Sequence, residues 1–254
     1  MRILLTNDDG VYAPGLAAME RELRKMADVT VVAPMTEQSG VGHAITYLTP
    51  LIAHELFEGS SRRGWGVEGS PADCVKLAIA ALLPERPDMV VSGINSGLNA
   101  GINVLYSGTV AAAIEGAFFG VTSIAVSLEF AETADYDRAA VLARQVIEQL
   151  QEHETPGPHL YNLNIPGAAT DVAEPEVVMV PMDVNRYGES FERRKDPRGR
   201  FYYWSINGDV PPPTEPETDV TALAQGKITL TPLDFALTNR SRLEEMRRWT
   251  FNLR

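Results

Sequence analysis

The strongest constraint on the fold is an alternation of short apolar runs with helical patterns along the first half of the chain. Residues 2–6 form an apolar run that stops at a polar turn, which is typical of a buried strand. After Pro14, apolar residues recur at helical spacing, and a β-branched run at 29–33 completes a strand–helix–strand unit. Such a unit predicts a parallel sheet.

The same alternation continues towards the carboxyl terminus. A capped helix is predicted over 71–83, and further strands and helices follow it at 89–91, 109–119, 123–126 and 135–153. Weaker patterns extend the fold, with strands at 160–165, 177–180 and 227–231 and a short capped helix from 218 to 223. We therefore expect an α/β fold in which an open sheet carries helices on both faces.

The composition changes in a segment at about 183–217, which we call the excursion. It contains a cluster of charged residues, three consecutive prolines and several aromatic residues. Loops longer than about 12–15 residues are usually functional or disordered, and aromatic content argues against disorder. We expect one α/β domain over 1–254, from which the excursion protrudes and packs against another subunit of a homo-oligomer.

Composition excludes several classes of partner. With 34 acidic and 22 basic residues the formal charge is −12, which opposes binding to a nucleic-acid duplex. The single cysteine, Cys74, excludes an internal disulfide and a cysteine-based metal cluster. The apolar runs are shorter than the roughly 20 residues of a membrane span, and the amino terminus lacks a secretory pattern. We expect no membrane partner and a cytoplasmic location.

Two adjacent carboxylates, Asp8 and Asp9, follow the first predicted strand. Open α/β sheets bind ligands at the carboxyl ends of their strands, where Asp8, Ser39 and Asn95 are all expected. Carboxylate oxygens suit magnesium, manganese or calcium better than zinc or copper. An Asx turn with solvated aspartates is the alternative, but the position in the sheet favours a cation site.

A glycine-rich segment and a helix start form the second candidate site. Residues 93–103 repeat glycine every fourth residue, yet they match neither the dinucleotide-binding motif nor the P-loop. Ser107, Gly108 and Thr109 begin the next predicted helix, where backbone N–H groups and hydroxyls can bind a phosphate. Ordinary helix capping by Ser107 or Thr109 is the alternative.

Taken together, these segments closely resemble the SurE family of survival proteins over nearly the whole chain. The resemblance rests on five ordered motifs, which are Leu4-Leu5-Thr6-Asn7-Asp8-Asp9-Gly10, Val32-Ala33-Pro34 with Ser39-Gly40, Gly69-Ser70-Pro71-Ala72-Asp73-Cys74-Val75, the run 92–116, and Glu217-Thr218-Asp219-Val220 with Thr231-Pro232-Leu233. The family resemblance implies a Rossmann-like core and a metal-dependent phosphatase that acts on nucleoside monophosphates.

The resemblance also implies a ligand set and an assembly. The implied metal ligands are Asp8, Asp9, Ser39 and Asn95, and the implied assembly is a homodimer or homotetramer built by exchange of a protruding carboxyl-terminal part. The family commonly carries Asp-Arg-Asn before the metal-binding serine. This chain has Met35-Thr36-Glu37-Gln38 in that interval and therefore lacks the arginine.

We predict a phosphomonoesterase that hydrolyses nucleoside 5'-monophosphates, or similar small phosphate esters, to nucleoside and phosphate. One divalent cation, Mg²⁺ or Mn²⁺, is expected on the four implied ligands. Asp8 and Asp9 are the predicted catalytic residues, and the predicted substrate-binding residues are Asn95, Ser107, Gly108 and Thr109. A covalent role for Asp8 is the mechanistic alternative. A non-catalytic nucleotide or metal sensor that uses the same pocket is the functional alternative.

Overall fold

A computed structural model describes residues 1–153, 157–185, 189–207 and 215–253. Within these ranges nine strands form one mixed, mostly parallel sheet, and two more form a separate antiparallel hairpin. In chain order the strands are β1 (Arg2–Thr6), β2 (Asp28–Pro34), β3 (Ala53–Glu58), β4 (Ser61–Val67), β5 (Met89–Ser96), β6 (Thr122–Leu128), β7 (Leu160–Ile165), β8 (Val177–Met179), β9 (Glu189–Lys195), β10 (Phe201–Asn207) and β11 (Ile228–Pro232).

The helices are α1 (Pro14–Leu23), α2 (Pro71–Leu77), α3 (Gly108–Phe118), α4 (Tyr136–His153), α5 (Gly167–Thr170), α6 (Asp219–Ala224) and α7 (Arg240–Met246). The helix predicted over 71–83 consists of α2 and a π-helical turn over Ala78–Leu82, and a 3₁₀ helix spans Gly101–Tyr106. Across the described ranges, we find no helix with the length and apolar character that crossing a membrane requires.

The strand order of the main sheet is β3-β4-β2-β1-β5-β6-β7-β11-β8. The strands from β4 to β7 pair in parallel, as the strand–helix–strand pattern predicts, whereas β3 pairs with β4 and β11 with β7 in antiparallel orientation. Because β1 lies between β2 and β5, the carboxyl ends of these three strands are neighbours. Thr6 at the end of β1 lies opposite Ser92 of β5.

Side chains of successive residues in the central strands point to opposite faces of the sheet, and each face packs against helices. Ile3 and Leu5 belong to the apolar cluster that includes α1 and α4, whereas Leu4 belongs to the cluster that includes α2 and α3. Cys74 of α2 is buried in the second cluster. The predicted arrangement, with helices on both faces, is confirmed.

The excursion is described only in part, since residues 186–188 and 208–214 lie outside the described ranges. Its described core is the β9–β10 hairpin, whose aromatic side chains are exposed, including Tyr203 and Trp204. Asp219, fully buried at the start of α6, accepts hydrogen bonds from the backbone N–H groups of Asp183, at 2.8 Å, and of Gly101, at 2.7 Å. The hydrogen bond between Asp183 and Asp219 therefore joins the first residue of the excursion to a residue just after its end.

Candidate metal and phosphate site

Three loops meet at the carboxyl edge of the central strands. The backbone N–H of Gln38, in the loop after β2, donates to the carbonyl oxygen of Asp8 at 2.8 Å. The backbone N–H of Ser96, at the end of β5, donates to the carboxylate of Asp9 at 3.1 Å. The turn that bears Asp8 and Asp9 is therefore bonded to the loop after β2 through the Asp8 backbone and to the end of β5 through the Asp9 carboxylate.

Thr109 of α3 makes two contacts with Asp8. Its backbone N–H donates to Asp8 Oδ2 at 3.2 Å, and its hydroxyl donates to Asp8 Oδ1. Gly108 permits this approach, because a Cβ at that position would lie 3.0 Å from the Cβ of Asp8. The Asp8 carboxylate, only 6% exposed as a residue, thus lies at the amino end of α3, where the helix dipole favours negative charge.

The environment of the acid pair disfavours two negative charges. Burial raises the pKa of Asp8, although the hydrogen bonds from Thr109 act in the opposite direction. Burial, together with the neighbouring Asp8 charge, raises the pKa of Asp9 to about 6. The negative charge of Glu37 adds a smaller upward contribution to both. A cation bound here would offset this repulsion.

The remaining predicted ligands keep oxygen lone pairs available. The side-chain N–H of Asn95 donates to the carbonyl of Gly97 at 2.7 Å, so the amide oxygen of Asn95 points elsewhere. The Ser39 hydroxyl donates to Glu37. Buried Asn7 Oδ1 has no hydrogen-bond partner among the described residues, which adds an unsatisfied oxygen beside the acid pair. The donor set is therefore all oxygen and fits Mg²⁺ or Mn²⁺.

The described part of the chain contains no group of three or more Asp, Glu, His or Cys side chains arranged to hold a metal ion. A cation on Asp8 and Asp9 would depend on two carboxylates, neutral oxygens and water. That combination is typical of Mg²⁺, which usually keeps several waters when one or two carboxylates bind it.

The two hydroxyl groups at the start of α3 have different roles, since one caps the helix and the other contacts Asp8. Ser107 caps the helix, because its hydroxyl accepts the backbone N–H of Val110 at 3.1 Å. This is the capping role that the sequence left open for Ser107. Thr109 does not cap the helix, since its hydroxyl is directed to Asp8. The sequence carries no signal for this contact, and phosphate binding by residues 107–109 stays a prediction.

A groove of about 590 Å³ opens between the loop after β2 and the start of α2. Gln38 lines this groove, and its backbone N–H donates to the carbonyl oxygen of Asp8. Both apolar and polar side chains line the rest of the groove, including Met35, Thr36, Val41, Ile45 and Ser70. Part of the interval in which the chain departs from the family pattern therefore forms one wall of the groove.

Comparison with known proteins agrees with the architecture and the motifs. The family described as "Survival protein SurE" matches residues 3–189. The 5'-nucleotidase SurE of Rhodopirellula baltica is 59% identical over the full length of both chains, and that of Carboxydothermus hydrogenoformans is 46% identical over 98% of this chain and 96% of its own. The crystal structure of the SurE protein from Aquifex aeolicus superposes with a TM-score of 0.85 at 32% identity, covering 97% of this chain and 98% of that one.

The sequence identity and the structural superposition both extend over nearly the whole chain. The chain belongs to the SurE family of survival proteins.

Proposed function

We propose that this SurE protein is a 5'-nucleotidase that uses one divalent cation to hydrolyse nucleoside 5'-monophosphates to nucleoside and phosphate. The observation that carries the proposal is the placement of two adjacent carboxylates, with Asp8 against the amino end of α3 and Asp9 against the end of β5. The names of the two bacterial relatives support the same activity.

Asp8, Asp9, Ser39 and Asn95 would hold the cation, and each keeps an oxygen lone pair that can be directed to it. When bound, a divalent cation stabilises negative charge on a phosphoryl group and makes a coordinated water more acidic. The chain itself orients the two carboxylates. Thr109 fixes the orientation of Asp8, and the contact between Asp9 and Ser96 fixes Asp9 against the end of β5.

Residues 107–109 would bind the phosphate of the substrate at the positive end of α3. Because the N–H and hydroxyl of Thr109 already bond to Asp8, we assign the direct contacts to the backbone N–H groups of Ser107 and Gly108. Thr109 then contributes to phosphate binding through Asp8 and the cation. This division agrees with the capping role of the Ser107 hydroxyl, which leaves its backbone N–H available.

The groove beside Gln38 would receive the nucleoside. Its volume of about 590 Å³ is suitable for a small ligand, and its mixed walls offer apolar contact from Met35 and polar groups from Thr36. A small phosphate ester without a nucleoside would leave this groove empty. We expect such esters to be hydrolysed with a higher KM.

We further propose that the chain is one domain over 1–254 and forms a homodimer or homotetramer through the excursion. The exposed aromatic side chains of the β9–β10 hairpin support this proposal, because aromatic residues outside a core commonly bury themselves against a partner. A closed symmetric assembly is the expected form.

The decisive experiment is a phosphate-release assay on a panel of nucleoside monophosphates and small phosphate esters. It is run after treatment with EDTA, with and without added Mg²⁺ or Mn²⁺. We expect release that requires the cation. A sensor that uses the same pocket would bind Mn²⁺ and nucleotide without releasing phosphate, which would contradict the proposal.

A further inference from the structure

The hydroxyl of Ser39 donates a hydrogen bond to the carboxylate of Glu37, with 2.5 Å between Oγ and Oε1. We propose that Glu37 is a positioning residue for the cation site, which holds the Ser39 hydrogen so that the Oγ lone pairs face the cation. This inference rests on the proposed function, because it takes Ser39 as a ligand. Nothing in the sequence distinguishes Glu37 from an ordinary loop glutamate.

A serine hydroxyl is a better ligand when its hydrogen is held away from the cation. Its single hydrogen rotates about the Cβ–Oγ bond, and only orientations that direct the hydrogen away from the cation expose a lone pair. An ionised carboxylate is a strong acceptor for this hydrogen, and a distance of 2.5 Å is typical of a charge-assisted O–H···O⁻ bond. Glu37 therefore selects the orientation that favours coordination.

The backbone that carries Glu37 is itself fixed against the acid pair. A Cβ at Gly10 would lie 3.5 Å from the backbone nitrogen of Glu37, so the turn after β1 packs closely on this loop. On the other side, the N–H of Gln38 bonds to the carbonyl oxygen of Asp8 at 2.8 Å. The Glu37–Ser39 pair is thus presented by a segment that is attached to the turn bearing Asp8 and Asp9.

Glu37 acts through Ser39 rather than as a further ligand. Within the residues the structure describes, no third carboxylate joins Asp8 and Asp9 in a metal-holding group. Both Glu37 and Ser39 are exposed, so replacing either one leaves no buried group unsatisfied. Their substitution is expected to change cation binding without changing the fold.

The test is Mn²⁺ affinity, measured by isothermal titration calorimetry on the full chain without substrate. We expect Glu37→Ala to weaken Mn²⁺ binding about tenfold, as loss of a group that orients a metal ligand typically does. Glu37→Gln should weaken it only about threefold, because the amide oxygen still accepts the Ser39 hydrogen. Glu58→Ala, which removes an exposed carboxylate at the opposite edge of the sheet, is the control and should leave Mn²⁺ affinity unchanged.

A double-variant comparison separates positioning from simple charge. In a Ser39→Ala background, Glu37→Ala should cause no further loss of Mn²⁺ affinity, because the hydroxyl it orients is gone. A loss that persists in that background would show that Glu37 acts by its charge alone and would overturn the inference. Equal melting temperatures for all variants would establish that the fold is intact.

The outcomes also distinguish this inference from the proposed function. If the wild type binds Mn²⁺ and Glu37→Ala binds it equally well, the positioning role is wrong while the cation site stands. If Ser39→Ala binds Mn²⁺ as tightly as the wild type, Ser39 is not a ligand and the inference fails for that reason. If the wild type binds no Mn²⁺, the proposed function fails and this inference fails with it.

Discussion

Thr109 and Asp8, 101 positions apart in the chain, are joined by two hydrogen bonds, one from the backbone N–H and one from the hydroxyl of Thr109. The contact links the amino end of α3 to the turn after β1. Each carboxylate oxygen of Asp8 accepts one of these two bonds, so the plane of the carboxylate is fixed before any ligand binds. Preorganisation of this kind is what a metal ligand requires of its neighbours.

The first prediction concerns this contact. Thr109→Val keeps the side-chain shape but removes the hydroxyl, so Asp8 loses one of its two bonds. We expect Mn²⁺ affinity without phosphate to fall about tenfold and unfolding to become easier by about 1–3 kcal/mol. Thr109→Ser, which keeps the hydroxyl, is the control and should retain most of the affinity. Unchanged Mn²⁺ affinity with weaker phosphate binding would instead place Thr109 on the phosphate.

The second prediction concerns the acid pair. Asp8→Asn and Asp9→Asn each remove one charged oxygen ligand, and we expect both to abolish Mn²⁺ binding and phosphate release. Circular dichroism should show the native fold, because both residues lie in a turn. Asp28→Asn, at the exposed amino end of β2, is a matched control that should behave as the wild type. Normal hydrolysis by either acid-pair variant would refute the ligand assignment.

The third prediction concerns substrate choice in the groove. Thr36→Arg restores a positive charge in the interval where the family commonly has an arginine. Because Thr36 lines the groove, we expect nucleoside diphosphates to inhibit monophosphate hydrolysis about two- to fivefold more strongly than in the wild type, an effect that added salt should reduce. Thr36→Met, of similar length without charge, controls for bulk. Unchanged inhibition by nucleoside diphosphates in Thr36→Arg would contradict this interpretation of the groove.

The fourth prediction concerns pH and stability. The Glu22 carboxylate accepts hydrogen bonds from Lys25 at 2.5 Å and from Arg144 at 3.1 Å, and these interactions hold its pKa below the ordinary value. Since the folded pKa is lowered, the stabilisation is present above about pH 4.3, the unfolded pKa, and is lost as pH falls through the folded pKa. Glu22→Gln should cost about 0.5–1 kcal/mol at pH 7.

Urea unfolding of the wild type and Glu22→Gln, at pH 7 and at pH 3.5, measures this effect. The difference between them should shrink at the lower pH, because pH 3.5 lies below the unfolded pKa of about 4.3, where protonation of Glu22 in the unfolded chain offsets part of the stabilisation. Glu58→Gln, which changes an exposed glutamate in the same way, should give little difference at either pH. A difference that stays constant with pH would mean that the ion pairs contribute nothing to stability.

The fifth prediction concerns assembly. Replacing residues 189–207 with a short glycine–serine linker removes the exposed aromatic hairpin, and we expect light scattering to show a smaller oligomer, down to the monomer. Mn²⁺ affinity should be preserved, because the acid pair lies on the main sheet. The double variant Tyr203→Ser, Trp204→Ser keeps the hairpin and should weaken assembly in the same direction. A full-length monomer at micromolar concentration, or an oligomer unchanged by the deletion, would count against an interface here.

Hydrophobic periodicity predicts the central elements well, because their burial imposes a strict pattern. The predicted bounds of β1, β7, α3 and α4 agree with the structure to within one residue. The pattern fails at β3 and β4. β3 is largely exposed on both faces, and Gly64 interrupts β4 where a Cβ would lie 1.8 Å from the carbonyl oxygen of Val31. Neither strand therefore shows a periodic apolar signal.

The site is predictable only to the level of topology. Parallel strands bring their carboxyl ends to one edge, so the neighbourhood of Asp8 and Asn95 follows from strand order. Contacts such as that between Asp9 and Ser96 depend on how each loop turns after its strand, and no spacing in the sequence encodes this. The glycine-rich run shows the same limit, because its first residues lengthen β5 instead of forming a loop.

The hydrogen bond between Asp183 and Asp219 means that the chain leaves the main body and returns to it at the same point. A segment whose ends already meet can change in length at little cost to the rest of the fold, because closing a longer loop costs only about 0.6 kcal/mol for each doubling. The excursion is therefore a natural insertion point. A change in its length would leave the positions of Asp8 and Asp9 unaltered.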